Sequence, residues 1–255
     1  MKILVCIKQV PDMESKFKVN AQNNWFDEKD LAYRINEYDE YAIEQAVQLK
    51  EQLEDVDITV LSVGPNRVKE ALKKALAMGC DRAVQIEDEE SYIKDPSQIA
   101  SLIADFSREK EFDIIFTGMQ SQDRGSAQVG VIISELLSIA CVSTIADFEY
   151  NDSITVKREL EGGLKSIIKV DTPVVLTCQL GLNTPRYPTL PNIMKAKKKE
   201  LLTINSLELS STDSLNETLN FYYPEKNGGS LILEGDVPEL ADELITILKE
   251  KTSVL

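Results

Sequence analysis

Histidine is absent from all 255 residues. Its absence removes the commonest general base and metal ligand, and with it most hydrolytic or metal chemistry by this chain acting alone. Cysteine is scarce: Cys6, Cys80, Cys141 and Cys178 lie far apart without C-x-x-C spacing, which points to reduced core thiols rather than a zinc or thioredoxin-type site. Neither G-x-x-x-x-G-K-[ST] nor G-x-G-x-x-G occurs, so the Walker and standard dinucleotide fingerprints are missing. No apolar run approaches the ~20 residues of a membrane span, and the opening "ILVCIKQV" lacks the long core and cleavage site of a secretory signal. A cytoplasmic chain is expected. Bases are the minority, 28 against 43 acids for a net charge of −15, and general nucleic-acid binding, which needs a basic face, is not expected.

What is present is alternation. Strand-like "KILVCIKQV" precedes a helical stripe in "DEYAIEQAVQLKEQL", followed by strand "DITVLSVGP", helix "RVKEALKKALAMG" with Gly79 at its C-cap, and strand "RAVQIED". Helix "PSQIASLIADFSREKE", strand "FDIIFTGMQ" and helix "SAQVGVIISELL" continue the order. After Ala140, "SITVKREL" and "LKSIIKVD" around Glu161, Gly162 and Gly163 read as a β-hairpin and "PVVLTCQL" as a core strand. Residues 201–220 read as a linker or extended arm, and "DVPELADELITILKEK" as a closing helix with Asp236 at its N-cap. The expected fold is α/β: a Rossmann-like, doubly wound, mostly parallel sheet with a hairpin and a C-terminal arm and helix. The expected division is 1–200 for the α/β domain and 201–255 for the arm and helix.

Ligands of such sheets bind beyond the carboxyl ends of the strands. The informative end is "TGMQSQDRGSAQVG". Gly118 and Gly125 permit close backbone approach, Ser126 is placed to cap a helix whose first N–H groups face a phosphate, and Gln120, Asp123 and Gln128 offer hydrogen bonds. The same composition also suits an ordinary turn, and no ligand follows from it alone.

Taken together, "KILVCIKQVPD", "INEYDEYAIEQAVQLKE", "ALAMGCDRAV", "GMQSQDRGSAQVG" and above all "VKRELEGGL" with "LGLNTPRYPTLPNIMKAKKKE" resemble the β subunit of the electron transfer flavoproteins, over nearly the whole chain. The resemblance implies a carrier subunit with no catalytic or metal residues of its own, paired with a larger α subunit that holds most of a redox-active FAD. The arm and helix after residue 200 would pack on that subunit. The resemblance also implies AMP in the β subunit, or a second FAD in the electron-bifurcating branch that oxidises NADH. Carried over, the pocket falls on Cys6, Asn36, Glu37, Tyr38, Asp39, Val63 and the run Gly118, Met119, Gln120, Ser121, Gln122, Asp123, Arg124, Gly125, Ser126, Ala127, Gln128 and Val129.

An acidic chain would otherwise have little use for the stiff, then basic, passage 183–200. In the family this passage docks on partner dehydrogenases, and the resemblance assigns Tyr187, Leu190, Pro191, Ile193, Met194 and Lys195 to docking, with Leu190 as anchor. Three prolines limit the freedom lost on docking. An ordinary buried loop leucine is the alternative reading of Leu190. The lysines at 195, 197, 198 and 199 either steer an acidic partner or end a solvated helix. Glu159 matches a glutamate that holds the mobile flavin domain, or is a plain surface charge. The implied donor is an acyl-CoA dehydrogenase type of flavoenzyme, as in fatty acid β-oxidation, and the acceptor a quinone-reducing or iron–sulfur oxidoreductase. "KQVPD" and "SAQVG" resemble bifurcating members, which carry "DGDT" where this chain has Asp123 to Ser126, whereas "PRYPTLPNIMKAKKK" follows the ordinary carriers. A nucleotide-binding sensor or scaffold without a redox role is the reading from another class.

Overall fold

Strand alternation decides which face of the sheet each residue serves. In the computed structural model, which describes residues 1–224 and 229–252, β1 (Lys2–Cys6) sends Ile3 and Val5 into one apolar cluster and Leu4 and Cys6 into another. A short β2 (Gln9–Pro11) and β3 (Tyr33–Ile35) pair antiparallel as a separate ribbon. "KILVCIKQV" is therefore two strands, not one, broken at Ile7 and Lys8. There follow α1 (Glu37–Gln52), β4 (Asp57–Gly64), α2 (Lys69–Met78), β5 (Arg82–Glu87), α3 (Pro96–Ser107), β6 (Ile114–Gly118) and α4 (Val129–Leu137). Helices α1 and α2 fill the first cluster, and α3 and α4 the second. This is the expected doubly wound arrangement.

The chain continues through β7 (Ala140–Tyr150), β8 (Ile154–Glu159), β9 (Lys165–Val170), β10 (Val174–Cys178), α5 (Leu190–Ala196) and β11 (Leu201–Asn205). The nine-stranded sheet runs β11-β5-β4-β1-β6-β10-β7-β8-β9, parallel as far as β7, with β8 and β9 added antiparallel. The hairpin forms as expected, turning on Gly162 and Gly163 at φ 70° and 76°. Gly79 ends α2 where an added Cβ would lie 2.8 Å from the methyls of Val47.

Two compact units are present, Met1–Phe221 and Tyr222–Leu255. The division falls after 221 rather than after 200 because β11 pairs in parallel with β5 and continues the sheet. Beyond it, Asp95 at the start of α3 accepts the N–H groups of Leu215 at 2.7 Å and Asn216 at 2.9 Å, so the arm is fastened to α3. The second unit contains α6 (Val237–Lys251), whose N-cap Asp236 exchanges hydrogen bonds with Glu239 in a capping box. The four cysteines are free thiols, three of them buried. No helix among the described residues is long and apolar enough to cross a membrane.

Candidate functional site

The carboxyl ends of β1, β4 and β6 lie side by side: Cys6, the last residue of β1, is registered against Leu61 and Thr117, and β6 runs on to Gly118 and β4 to Gly64. Strand order reverses at β1, with β4 and β5 to one side and β6 and β10 to the other. Such a switch point leaves a crevice beyond the carboxyl ends. A cavity of about 1140 Å³, part of it open to solvent, lies there.

Its floor is organised by one buried carboxylate. Asp39, in the first turn of α1, accepts the Lys8 N–H at 2.6 Å on one oxygen; on the other it accepts the Gly118 N–H and the Asn36 side-chain amide, each at 3.0 Å. Asn36 in turn donates to the Gln120 carbonyl at 2.8 Å and accepts the Gln122 N–H at 3.0 Å. The ends of β1 and β6 and the start of α1 are thus tied by an Asp–Asn pair. Burial pushes the Asp39 carboxyl up to about 7, with the N–H donors pulling against it. Glycine is required at 118 because a Cβ there would sit 2.2 Å from Asp39 Oδ1 and 2.7 Å from Tyr38 Cβ.

Four cations lie in the walls, three of them paired with carboxylates. Lys8, Arg67, Lys94 and Arg124 line the cavity against only two carboxylates, Asp39 and Asp123. Lys8 Nζ lies 2.7 Å from Asp123, whose side chain is 2 % exposed. Enclosure pushes the Lys8 ammonium below its ordinary range, and Asp123 opposes the shift. Arg67 is paired with Glu28 at 2.7 Å and Lys94 with Asp88 at 3.2 Å. Arg124 donates to the Tyr92 and Lys94 carbonyls, and its guanidinium lies 4.7 Å over the Trp25 ring. These bonds go to carbonyls rather than to a carboxylate, which leaves its charge available to an anion.

Helix α4 contributes its start. Val129 and Gly130 line the cavity, and the first N–H groups of a helix have no intrahelical acceptor and favour negative charge. Gly130 lets that end close on the sheet, since a Cβ would lie 2.6 Å from Thr117 Oγ1. The expected capping by Ser126 does not occur. Gly125 at φ 61° and Ala127 at φ 53° keep the chain out of the helix, and Gln128 occupies the N-cap position without a side-chain bond.

Of the residues singled out in sequence, the cavity brings together Cys6, Asn36, Asp39, Val63, Gly118, Met119, Gln120, Ser121, Asp123, Arg124, Ser126, Ala127, Gln128 and Val129. Glu37, Tyr38, Gln122 and Gly125 lie outside the lining. Glu37 accepts from Gln122 Nε2 at 2.9 Å and the Tyr38 hydroxyl from Gln120 Nε2 at 3.1 Å, so two of them brace the loop from behind. The reading missed Trp25, Tyr33, Arg67, Tyr92 and Lys94. A signal existed for one of them, Trp25 being the chain's single tryptophan.

The 183–200 passage forms a separate feature. Thr189 caps α5 by accepting the Asn192 N–H at 3.4 Å, and Pro191 lies in its first turn. Its prolines thus end before or open a short helix, and the segment is less of a loop than expected. Leu190 is 80 % exposed, Tyr187 90 % and Met194 61 %, with Pro191, Ile193 and Lys195 exposed beside them. Leu190 is therefore not a buried loop residue. Lys199 does not belong to the free basic cluster: its ammonium donates to the carbonyls of Leu76 and Cys80 at the end of α2. Glu159 is exposed at the end of β8, 3.5 Å from the Gln179 amide.

Comparison with known proteins adds the family. Residues 23–209 match the electron transfer flavoprotein domain. The chain is 38 % identical to the electron transfer flavoprotein subunit beta of Bacillus subtilis over the full length of both. It is 34 % identical to that of Methylophilus methylotrophus over 98 % of each chain, and 31 % identical to that of Mus musculus over 98 % of this chain and 97 % of the other.

Proposed function

The chain belongs to the electron transfer flavoprotein family as a beta subunit, and from that premise we propose that it works as one half of a heterodimeric electron carrier. Its α partner holds most of the FAD. When bound, FAD supplies the redox chemistry, taking up and giving back electrons. This chain supplies a nucleotide cradle and a docking element. The donor is an acyl-CoA dehydrogenase type of flavoenzyme and the acceptor a quinone-reducing or iron–sulfur oxidoreductase.

The observation that carries the cradle is a pocket beyond the carboxyl ends of the strands in which Arg124, bonded to carbonyls rather than paired with a carboxylate, lies in the same lining as the start of α4. A nucleotide phosphate fits Arg124, Lys8 and the leading N–H groups of α4, all of which line the cavity. AMP is the preferred ligand. A second FAD, as in a bifurcating carrier that oxidises NADH, is the alternative, favoured by the likeness of "KQVPD" and "SAQVG" to the bifurcating members. On the outer surface, burial of one leucine contributes about 1.5–3 kcal/mol, enough for a transient contact at Leu190. Glu159 holds the mobile flavin domain, and the C-terminal unit packs on the α subunit.

The test is donor-driven reduction of the purified heterodimer's flavin. Leu190→Ala is expected to raise the KM of the dehydrogenase for the carrier about tenfold or more, with flavin content unchanged. An unaltered KM removes the docking assignment, and a colourless complex removes the carrier.

A further inference from the structure

Among the side chains that fasten the docking element to the rest of the molecule, one ties its leading stretch to α1 and is used by neither the cradle nor the exposed apolar surface. Arg186 donates from Nε to Glu44 Oε2 at 2.8 Å and from Nη2 to Glu44 Oε1 at 3.0 Å. It donates from Nη1 to Glu51 Oε1 at 2.5 Å and from Nη2 to Glu51 Oε2 at 2.9 Å, while its own backbone N–H reaches Glu44 Oε2 at 3.2 Å. Glu44 and Glu51 stand two turns apart on one face of α1, which brings both within reach of a single planar fork. Asn183 adds bonds to the Tyr41 carbonyl at 3.0 Å and to Gln45 Oε1 at 3.3 Å.

We infer that Arg186 is the positioning residue of the docking element: its guanidinium, spread over Glu44 and Glu51, fixes where Leu190 is presented to the donor. Only residues 187–189 separate the clamp from the anchor, and Pro188 is one of them. Little rotational freedom therefore intervenes. Helix α5 itself is packed on α2 through Ala196 and, just beyond it, Lys199; without the clamp, the stretch 186–189 that leads into Leu190 would have to be ordered at each encounter, and that cost would oppose docking. The same helix α1 begins with Asn36 and Asp39, so the element and the cradle are hung on one rigid body. The inference rests on the docking reading above.

The heterodimer carrying Arg186→Ala is compared with wild type and with Leu190→Ala. Amides 187–195 are expected to exchange hydrogen faster in Arg186→Ala, with those of 37–52 unchanged, and KM for the carrier to rise about 3- to 10-fold. Arg186→Lys keeps the charge but cannot form the fork, and is expected to fall between; it also serves if the alanine variant does not assemble. Unchanged exchange at 187–195 overturns the inference. So does an unchanged KM in Arg186→Ala when Leu190→Ala raises it. If Leu190→Ala itself leaves KM unaltered, the docking reading falls and takes the inference with it.

Discussion

The loop over residues 118–128 and the segment over residues 183–196 are both irregular in sequence, yet they are held in opposite ways. The first is gripped from inside. Asp39 and Asn36, both buried, spend their oxygens and amide on backbone groups of Lys8, Gly118, Gln120 and Gln122. The second is gripped from outside, by a guanidinium on one buried and one exposed glutamate, the Glu44 and Glu51 side chains being 4 % and 59 % accessible. Interior bonds to backbone fix a cavity's shape and are insensitive to salt. A surface clamp leaves the apolar residues beyond it exposed and is open to screening. A cradle needs the first and a transient contact the second.

The contrast can be broken by substitution, beginning where the effect is greatest. Asp39→Ala strands three buried donors and is expected to cost about 3 kcal/mol or more, with loss of bound nucleotide; chemical denaturation and nucleotide content report it. Gly118→Ala forces a Cβ onto Asp39 Oδ1 and is expected to cost about 3 kcal/mol, the upper range of overpacking, by the same measurements. Asp95 grips the arm in the interior manner. Burial alone would raise its carboxyl, but the Ser97 hydroxyl and the N–H groups of Gln98, Leu215 and Asn216 hold it down to about 2. Its folded pKa is depressed, so its contribution is complete above the ordinary carboxylate value near ~4 and is lost as pH falls toward 2. Asp95→Asn is accordingly expected to lower stability by about 2 kcal/mol at neutral pH and by little near pH ~2, a difference that denaturation across pH would read. Arg186→Ala is expected to cost about 1–2 kcal/mol in global stability, because it strands the buried Glu44 carboxylate, and only the part owed to the exposed Glu51 is lost to screening in about 1 M salt. A large, salt-independent loss there would erase the distinction between the two regions.

Much of this was legible where a local pattern suffices. Continuous Val/Ile/Leu runs predicted β1, β4, β5, β6 and β10, and Gly79 and Asp236 marked helix ends, because each signal lies within a few residues of its effect. What was missed depends on distant partners. In β7 only Val142 and Ile145 are buried among its eleven residues, and the strand is bulged at Thr144, φ 55°; its apolar pattern is correspondingly weak. Strand β11 is an edge strand defined by its pairing with β5 rather than by its own Thr- and Asn-containing sequence. The break after Cys6 separates two stretches of the same apolar character. In the site, the strand-end loops were readable, but the ion-paired walls at Arg67 and Lys94 and the Arg186 clamp are long-range meetings that no spacing along the chain encodes.

The central claim is that this subunit holds a nucleotide of its own beside the partner's flavin. It is tested most directly by denaturing the purified heterodimer and quantifying what is released. One AMP together with one FAD is the expected result. A complex that releases FAD but no second nucleotide of any kind would contradict the account, and two FAD would replace AMP by the bifurcating alternative.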